Sequence, residues 1–335
     1  MKDLDSGDSP TAAASGASAP SGLAPADHPG KEGPAAPTPG STSLRGRLGA
    51  AVLVFGGGVS LQFGSALAAL LFPRAGPLGV VTLRLAVAAI VLLAVCRPRL
   101  RGHSRDDWLT VTGFGVALAG MNSLFYLSIE RIPLGAAVTL EVLGPLTLSV
   151  VASRRAANVL WAVLAFGGVF LLGRSGFGHL DWLGVGFALT AGGLWVVYIL
   201  ASARTGQRFP GADGLALAMS IAAVLTLPLG VATTGAALLD PVTLGLGASV
   251  ALLSSVLPYT LELLALRKLP AGTFAVMMSL EPAIAATAGV LVLGQWLSVG
   301  EMTAILLVVV ASMGAVLTPS RRPARTDRLP LPPAP

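Results

Sequence analysis

Ten apolar stretches, each near the roughly 20 residues that cross about 30 Å of hydrocarbon, follow one another along this chain with only short Gly- and Pro-bearing connections between them. They run approximately 48–72, 77–96, 108–129, 134–152, 157–173, 182–202, 214–232, 245–266, 272–293 and 301–318. A segment such as Phe72-Pro73-Arg74-Ala75-Gly76-Pro77 reads as a loop, and nothing between the stretches is long enough to build a soluble domain. The composition agrees: 54% of the 335 residues are hydrophobic and 11% are charged, whereas globular domains carry about a quarter charged residues. The expected fold is therefore an all-α membrane protein with ten transmembrane helices.

Residues 1–43 are rich in Ala, Pro, Gly and Ser without apolar periodicity, a composition that cannot bury enough surface to fold. They read as a disordered tail and lack the basic region, apolar run and cleavage site of a signal peptide. Residues 319–335, rich in Pro and Arg, read the same way.

Basic residues set the orientation. With the N-terminus in the cytoplasm, eighteen of the 22 Lys and Arg residues fall in the tails and inner loops, only Arg74, Arg131 and Arg174 in outer loops, and Arg84 inside a span. The reverse arrangement violates the positive-inside rule nearly everywhere, so both termini are expected in the cytoplasm. A net charge of +6 distributed by topology is not a nucleic-acid-binding face. The lone Cys96 excludes an internal disulfide framework, the three histidines fall in tail or loop positions, and no Cys/His metal site or cofactor motif is visible.

One helix design occurs twice. Arg131–Pro145 (RIPLGAAVTLEVLGP) reappears, much altered, as Lys268–Pro282 (KLPAGTFAVMMSLEP), 137 residues further on. Ten spans and one such offset give five helices per copy, and an odd number makes the second copy enter the membrane from the opposite side. Two inverted five-helix repeats, 44–175 and 176–318, place a binding site at their interface near mid-membrane, although duplication is also an economical way to build a bundle.

Three ionisable residues lie deep in spans: Arg84, Glu141 and Glu281. Each costs at least about 2.5 kcal/mol at a lipid-facing helix centre, so each is expected to face the bundle interior. At about 1.5 Å rise per residue, Glu141 lies roughly 12 Å from the outer face, Glu281 roughly 13 Å and Arg84 about 10 to 11 Å, so the three can share one layer. With the prolines aligned, Glu141 falls opposite Met278 and Glu281 opposite Gly144; the acids are an asymmetric pair. A structural ion pair between Arg84 and one glutamate is the plain alternative. Two acids beside one base leave a carboxylate available to carry a proton, and a guanidinium with a carboxylate suits an amino-acid zwitterion.

Gln62, Asn122, Tyr126, Trp195, Tyr198 and Tyr259 are further candidates for the cavity wall, each also explicable as helix-packing glue. Asn122 and Tyr126, at i and i+4, share a face. Ser254 and Ser255 add polar handles in the eighth span, where Pro258 is expected to kink the helix and free a backbone carbonyl. Glu262, one turn from Arg267 and Lys268, is a candidate gate or snorkelling residue.

Thr82-Leu83-Arg84-Leu85, Gly120-Met121-Asn122 with Leu124–Ile129, Leu140-Glu141 with Gly144-Pro145, Leu257-Pro258-Tyr259 and Ser279–Ala283 resemble the drug/metabolite transporter superfamily. Within it, residues 45–318 are most similar to the bacterial threonine/homoserine exporters of the EamA group. The resemblance implies a multi-pass, ten-helix exporter of small amino acids in the bacterial inner membrane, driven by proton exchange, with a small molecule, protons and the lipid bilayer as its partners. Leu293-Gly294-Gln295 departs from the Leu-Gly-Glu that such proteins often carry, and Glu301 is not an evident replacement. Exporters of another solute class, such as a drug or nucleoside, remain an alternative. A membrane-embedded enzyme is another, and it finds no HExxH, paired-Asp or Ser/His motif here; a purely structural or signalling membrane protein is a third.

Overall fold

The computed structural model describes residues 44–153, 156–174, 181–258, 260–261 and 277–317. Among them every regular element is helical. The α-helices are α1 Leu44–Leu70, α2 Phe72–Cys96, α3 Arg105–Ile129, α4 Leu134–Glu141, α5 Leu143–Ser153, α6 Ala156–Arg174, α7 Trp182–Arg208, α8 Asp213–Thr234, α9 Pro241–Ala251, α10 Glu281–Leu293 and α11 Val299–Leu317. A 3-10 turn covers Gly235–Leu239, and a π-helical segment, Leu252–Val256, continues α9. Six of these helical stretches are long and apolar enough to cross a membrane, and there are four shorter apolar ones, Leu134–Leu148, Val159–Leu171, Pro241–Val256 and Glu281–Leu293. The chain is thus a multi-pass membrane protein. Phe166, Phe170, Ile90 and Val95 project from its flanks, which a lipid environment favours and water would not.

Proline decides where the helices deviate from the expected uniform spans. The segment 72–77, expected as a loop, is instead the first turn of α2 followed by a kink at Gly76, whose φ is 63°. Pro77 disfavours helical geometry in the residue before it, and glycine tolerates positive φ. The fourth expected span is two helices, with the break at Val142. Pro145 has no N–H for the Glu141 carbonyl four residues earlier, and its ring crowds that oxygen. The same event recurs at Pro282, which follows a turn at Ser279-Leu280 and opens α10. Both repeated prolines therefore interrupt a helix beside a glutamate.

Close backbone approach holds the bundle together, because lipid tails offer helices no hydrophobic reason to leave them. α2 packs on α8, α3 on α7 and α8, α6 on α11, α1 on α10 and the π segment, α4 on α10, and α4 with α5 on α7. Gly230 lies against Thr82, whose hydroxyl donates to the Thr226 carbonyl at 2.9 Å. A side chain on Gly192 would meet the Glu141 carbonyl oxygen at 2.5 Å, and the Gly192 carbonyl in turn abuts Gly144. The freed end of α4 is thus pressed against α7 by two glycines.

Ion pairs clip the loops at each end. Arg74 meets Asp240 at 3.7 Å and Arg131 meets Asp181 at 2.7 Å at one end; Arg208 meets Asp107 at 3.2 Å at the other. Each carboxylate also caps a helix: Asp107 closes a capping box with Ser104 at the start of α3, and Asp181 and Asp240 accept from the first turns of α7 and α9. At the Arg131 end, Gln295 Oε1 accepts from the Leu134 N–H at 3.0 Å, so the 294–298 connection is tied to the first turn of α4.

Candidate functional site

A cavity of about 670 Å³ opens between α1, α2, α3, α4, α5, α7, α10 and α11. Gln62, Arg84, Asn122, Glu141, Trp195, Tyr198 and Glu281 all line it, together with Ser65, Ser202, Ser279 and Ser312. It reaches toward the Arg208 end of the bundle along Ser202, Ala203, Ala315 and Val316, near the last turns of α7 and α11. Toward the other end the chain is close-packed: Leu71, Ala75, Ser128, Leu134, Ala136 and Ala137 are buried. Among the described residues the cavity therefore extends toward the Arg208 end and not toward the other.

Arg84, 5% exposed, is held in three directions. Its Nε donates to Ser255 Oγ at 2.9 Å, Nη1 to the Tyr126 hydroxyl at 3.1 Å and Nη2 to the Ser254 carbonyl at 2.8 Å. The guanidinium carbon also lies 5.5 Å from the Tyr126 ring centroid. The Ser254 carbonyl is available because Pro258, four residues on, supplies no N–H to accept; that is the carbonyl the sequence led one to expect, and the guanidinium takes it. A structural ion pair between Arg84 and a glutamate, the alternative raised by the sequence, is not formed among the described residues, where the three ion pairs involve other arginines. A guanidinium has five N–H groups, so with three bonds made to neutral partners two N–H groups have no partner among the described residues. That is the number a carboxylate needs for a forked pair.

The two glutamates come to the same cavity from opposite halves of the chain. Glu141 ends α4 at the Pro145 break, and Glu281 begins α10 at the Pro282 break. Helix interruptions at mid-membrane are where backbone polar groups and charged side chains can meet a ligand without facing lipid. Tyr126, fully buried, does not line the cavity; it stands behind Arg84 and packs on Phe72 at 5.9 Å. Asn122 does line it, and its amide donates to the Leu118 carbonyl at 2.8 Å. Tyr259 and Glu262 lie outside the described residues, as do Arg267 and Lys268.

Ser65 and Ser312 are what sequence reasoning passed over. Ser254 and Ser255 were visible only as polar handles near Pro258, and their role follows from α9 and the π segment lying beside α2. Ser65 stands three residues from Gln62, on its helix face, and Ser312 interrupts the apolar run of α11; those spacings were the available signals.

Residues 182–317 match the EamA-like transporter family. The chain is 42% identical over 266 residues to the threonine/homoserine exporter RhtA of Salmonella typhimurium (strain SL1344), covering 79% of this chain and 90% of that protein. It is likewise 42% identical over 261 residues to the threonine/homoserine exporter RhtA of Escherichia coli (strain K12), covering 77% of this chain and 88% of the relative. One solved crystal structure shares the fold with a TM-score of 0.53 at 21% identity, over 80% of this chain and 96% of the other.

Proposed function

Because this chain belongs to the EamA-like transporter family, we propose that it exports small amino acids of the threonine and homoserine kind, or related metabolites, across the bacterial inner membrane in exchange for protons. The observation that carries this reading is the state of Arg84. Its charge is fixed at a cavity wall by neutral partners and, among the described residues, keeps two N–H groups for a carboxylate. Glu141 and Glu281 on the same cavity give a seat for the ammonium group and a site for the exchanged proton. Asn122, Trp195 and Tyr198 complete the wall around the substrate, with Tyr126 holding Arg84 in place.

Two inverted five-span units, 44–175 and 176–318, are the architecture we assign, flanked by cytoplasmic tails at 1–43 and 319–335. Helix packing supports it. Moving five spans along converts the α3–α7 contact into that of α1 with α9 and the π segment. It converts α3–α8 into α2–α9, and α7 with α4 and α5 into α1–α10. The α2–α8, α4–α10 and α6–α11 contacts are their own counterparts. A pseudo-two-fold axis in the membrane plane has this effect. The cavity extends toward the end that the distribution of basic residues assigns to the cytoplasm, as loading before export requires.

Efflux of labelled threonine from proteoliposomes tests the reading. Acidifying the outside should accelerate efflux, because protons then enter as substrate leaves, and Glu141→Gln with Glu281→Gln should abolish the acceleration. Absence of any amino-acid flux, or full coupling in the double variant, would refute it. A cavity of about 670 Å³ is also in the range that holds drug-sized ligands. That volume favours export of a larger solute as the second reading, which competition of such solutes against threonine efflux would reveal.

A further inference from the structure

We propose that Gln62 is the specificity-determining residue for the substrate's side-chain hydroxyl, forming with Ser65 a hydroxyl subsite apart from the charged groups. The inference rests on the amino-acid export reading and deepens it. Gln62 is 3% exposed, yet its Oε1 is buried without a hydrogen-bond partner and no hydrogen bond to its amide exists among the described residues. A buried amide left unsatisfied is destabilising, and natural proteins retain one where a ligand or water completes it. The amide lies on the cavity wall, and Ser65, one turn further on, lines the same wall. Ser65 Oγ donates to the Leu61 carbonyl at 3.0 Å, so toward the cavity it presents acceptor lone pairs.

The position fits the rest of the substrate. Gly64, two residues from Gln62, lies against Ser254, with 2.9 Å from an ideal Cβ to the Ser254 Cβ, and the Ser254 carbonyl is a partner of Arg84. At about 1.5 Å of rise per residue, Gln62 is roughly 3 Å along α1 from that contact. The amide therefore stands in the layer of the guanidinium. A carboxylate on Arg84 leaves a hydroxyl one or two carbons beyond Cα within the span of one small-molecule cavity.

Discrimination by this subsite differs in kind from discrimination by size. Valine has the shape of threonine with a methyl group in place of the hydroxyl, so pocket volume separates the two poorly, whereas a buried amide left unpaired separates them strongly. Competition against labelled-homoserine counterflow in proteoliposomes reads this out. In the wild-type protein valine should compete about tenfold or more weakly than threonine. In Gln62→Met the two should compete within about twofold, with thermal stability equal or higher because an unsatisfied polar group has been replaced by an apolar one. Gln62→Asn withdraws the amide by one methylene; it should shift preference from threonine toward homoserine, whose hydroxyl sits one carbon further out. An unchanged valine-to-threonine ratio in Gln62→Met, or an unchanged threonine-to-homoserine ratio in Gln62→Asn, overturns the subsite alone. Wild-type protein that moves amino acids but treats valine and threonine alike does the same. Wild-type protein that moves no amino acid overturns both the subsite and the reading beneath it.

Discussion

Replacing Arg84 by lysine keeps the charge and removes the fork. The guanidinium reaches Ser255, Tyr126 and Ser254 in three directions at 2.9, 3.1 and 2.8 Å, and one ammonium nitrogen cannot satisfy all three while also meeting a substrate. The Ser255 and Tyr126 hydroxyls can rotate to other partners, but the Ser254 carbonyl cannot, since Pro258 supplies no N–H. The net loss is then close to one hydrogen bond to a charged group, about 1.5–3 kcal/mol. At about 2–4 °C per kcal/mol for a chain of this size, the melting temperature should fall by roughly 3 to 12 °C. Substrate loses one arm of a forked carboxylate pair, also about 1.5–3 kcal/mol, which raises KM by roughly 10- to 150-fold. Thermal unfolding in detergent and initial efflux rates against threonine concentration measure the two separately. A fall in melting temperature with KM unchanged would make Arg84 purely structural and refute its assignment as the carboxylate anchor. Wild-type behaviour in both would refute the geometry as well.

Three further outcomes follow from particular contacts. Gly192→Ala drives a methyl group to 2.5 Å from the Glu141 carbonyl, with backbone on both sides, whereas Gly193→Ala meets nothing within 4 Å. The first should lose about 1–3 kcal/mol of stability and most transport, and the second should match or exceed wild type in the same thermal and efflux assays. Gln295→Leu leaves the Leu134 N–H without its 3.0 Å acceptor and should lower the melting temperature, while Gln295→Glu keeps an acceptor at the same reach and should preserve both stability and transport. The hydrogen bond from Arg131, and then those from Leu183 and Gly184, hold the Asp181 carboxyl below its ordinary value of 3.8. A group depressed on folding stabilises above its unfolded value and loses that contribution as pH falls through the folded one. Melting temperature should therefore drop below about pH 4, less steeply in Asp181→Asn than in wild type.

The helical, membrane-crossing character of the chain was legible because hydropathy over about 20 residues is a strong signal. Expected and observed starts agree closely at Leu134, Trp182 and Asp213. Arg84, Glu141 and Glu281 were legible for the complementary reason, as charges in apolar surroundings. The breaks beside the glutamates were half legible: Pro145 and Pro282 stood out as the ends of repeated segments, but not as the cause of two helix interruptions. Ser254 was legible only as a polar handle and Ser312 not at all, because serine is common in membrane helices and often bonds back to its own helix, as Ser254 Oγ does to the Val250 carbonyl at 2.7 Å. Which carbonyl receives Arg84 depends on α2 lying beside α9, and no local pattern in one sequence encodes that neighbour. Gln295 read only as a missing carboxylate; its actual work, holding the start of α4, depends on a contact across 161 residues.

Proton release on substrate binding tests the central claim most directly. If Arg84, Glu141 and Glu281 hold substrate and proton in one cavity in alternation, adding threonine to the purified protein in weakly buffered solution should release protons that a pH indicator detects. Glu141→Gln with Glu281→Gln should eliminate that release. Threonine that binds without releasing protons from the wild-type protein, or undiminished release from the double variant, would contradict the account.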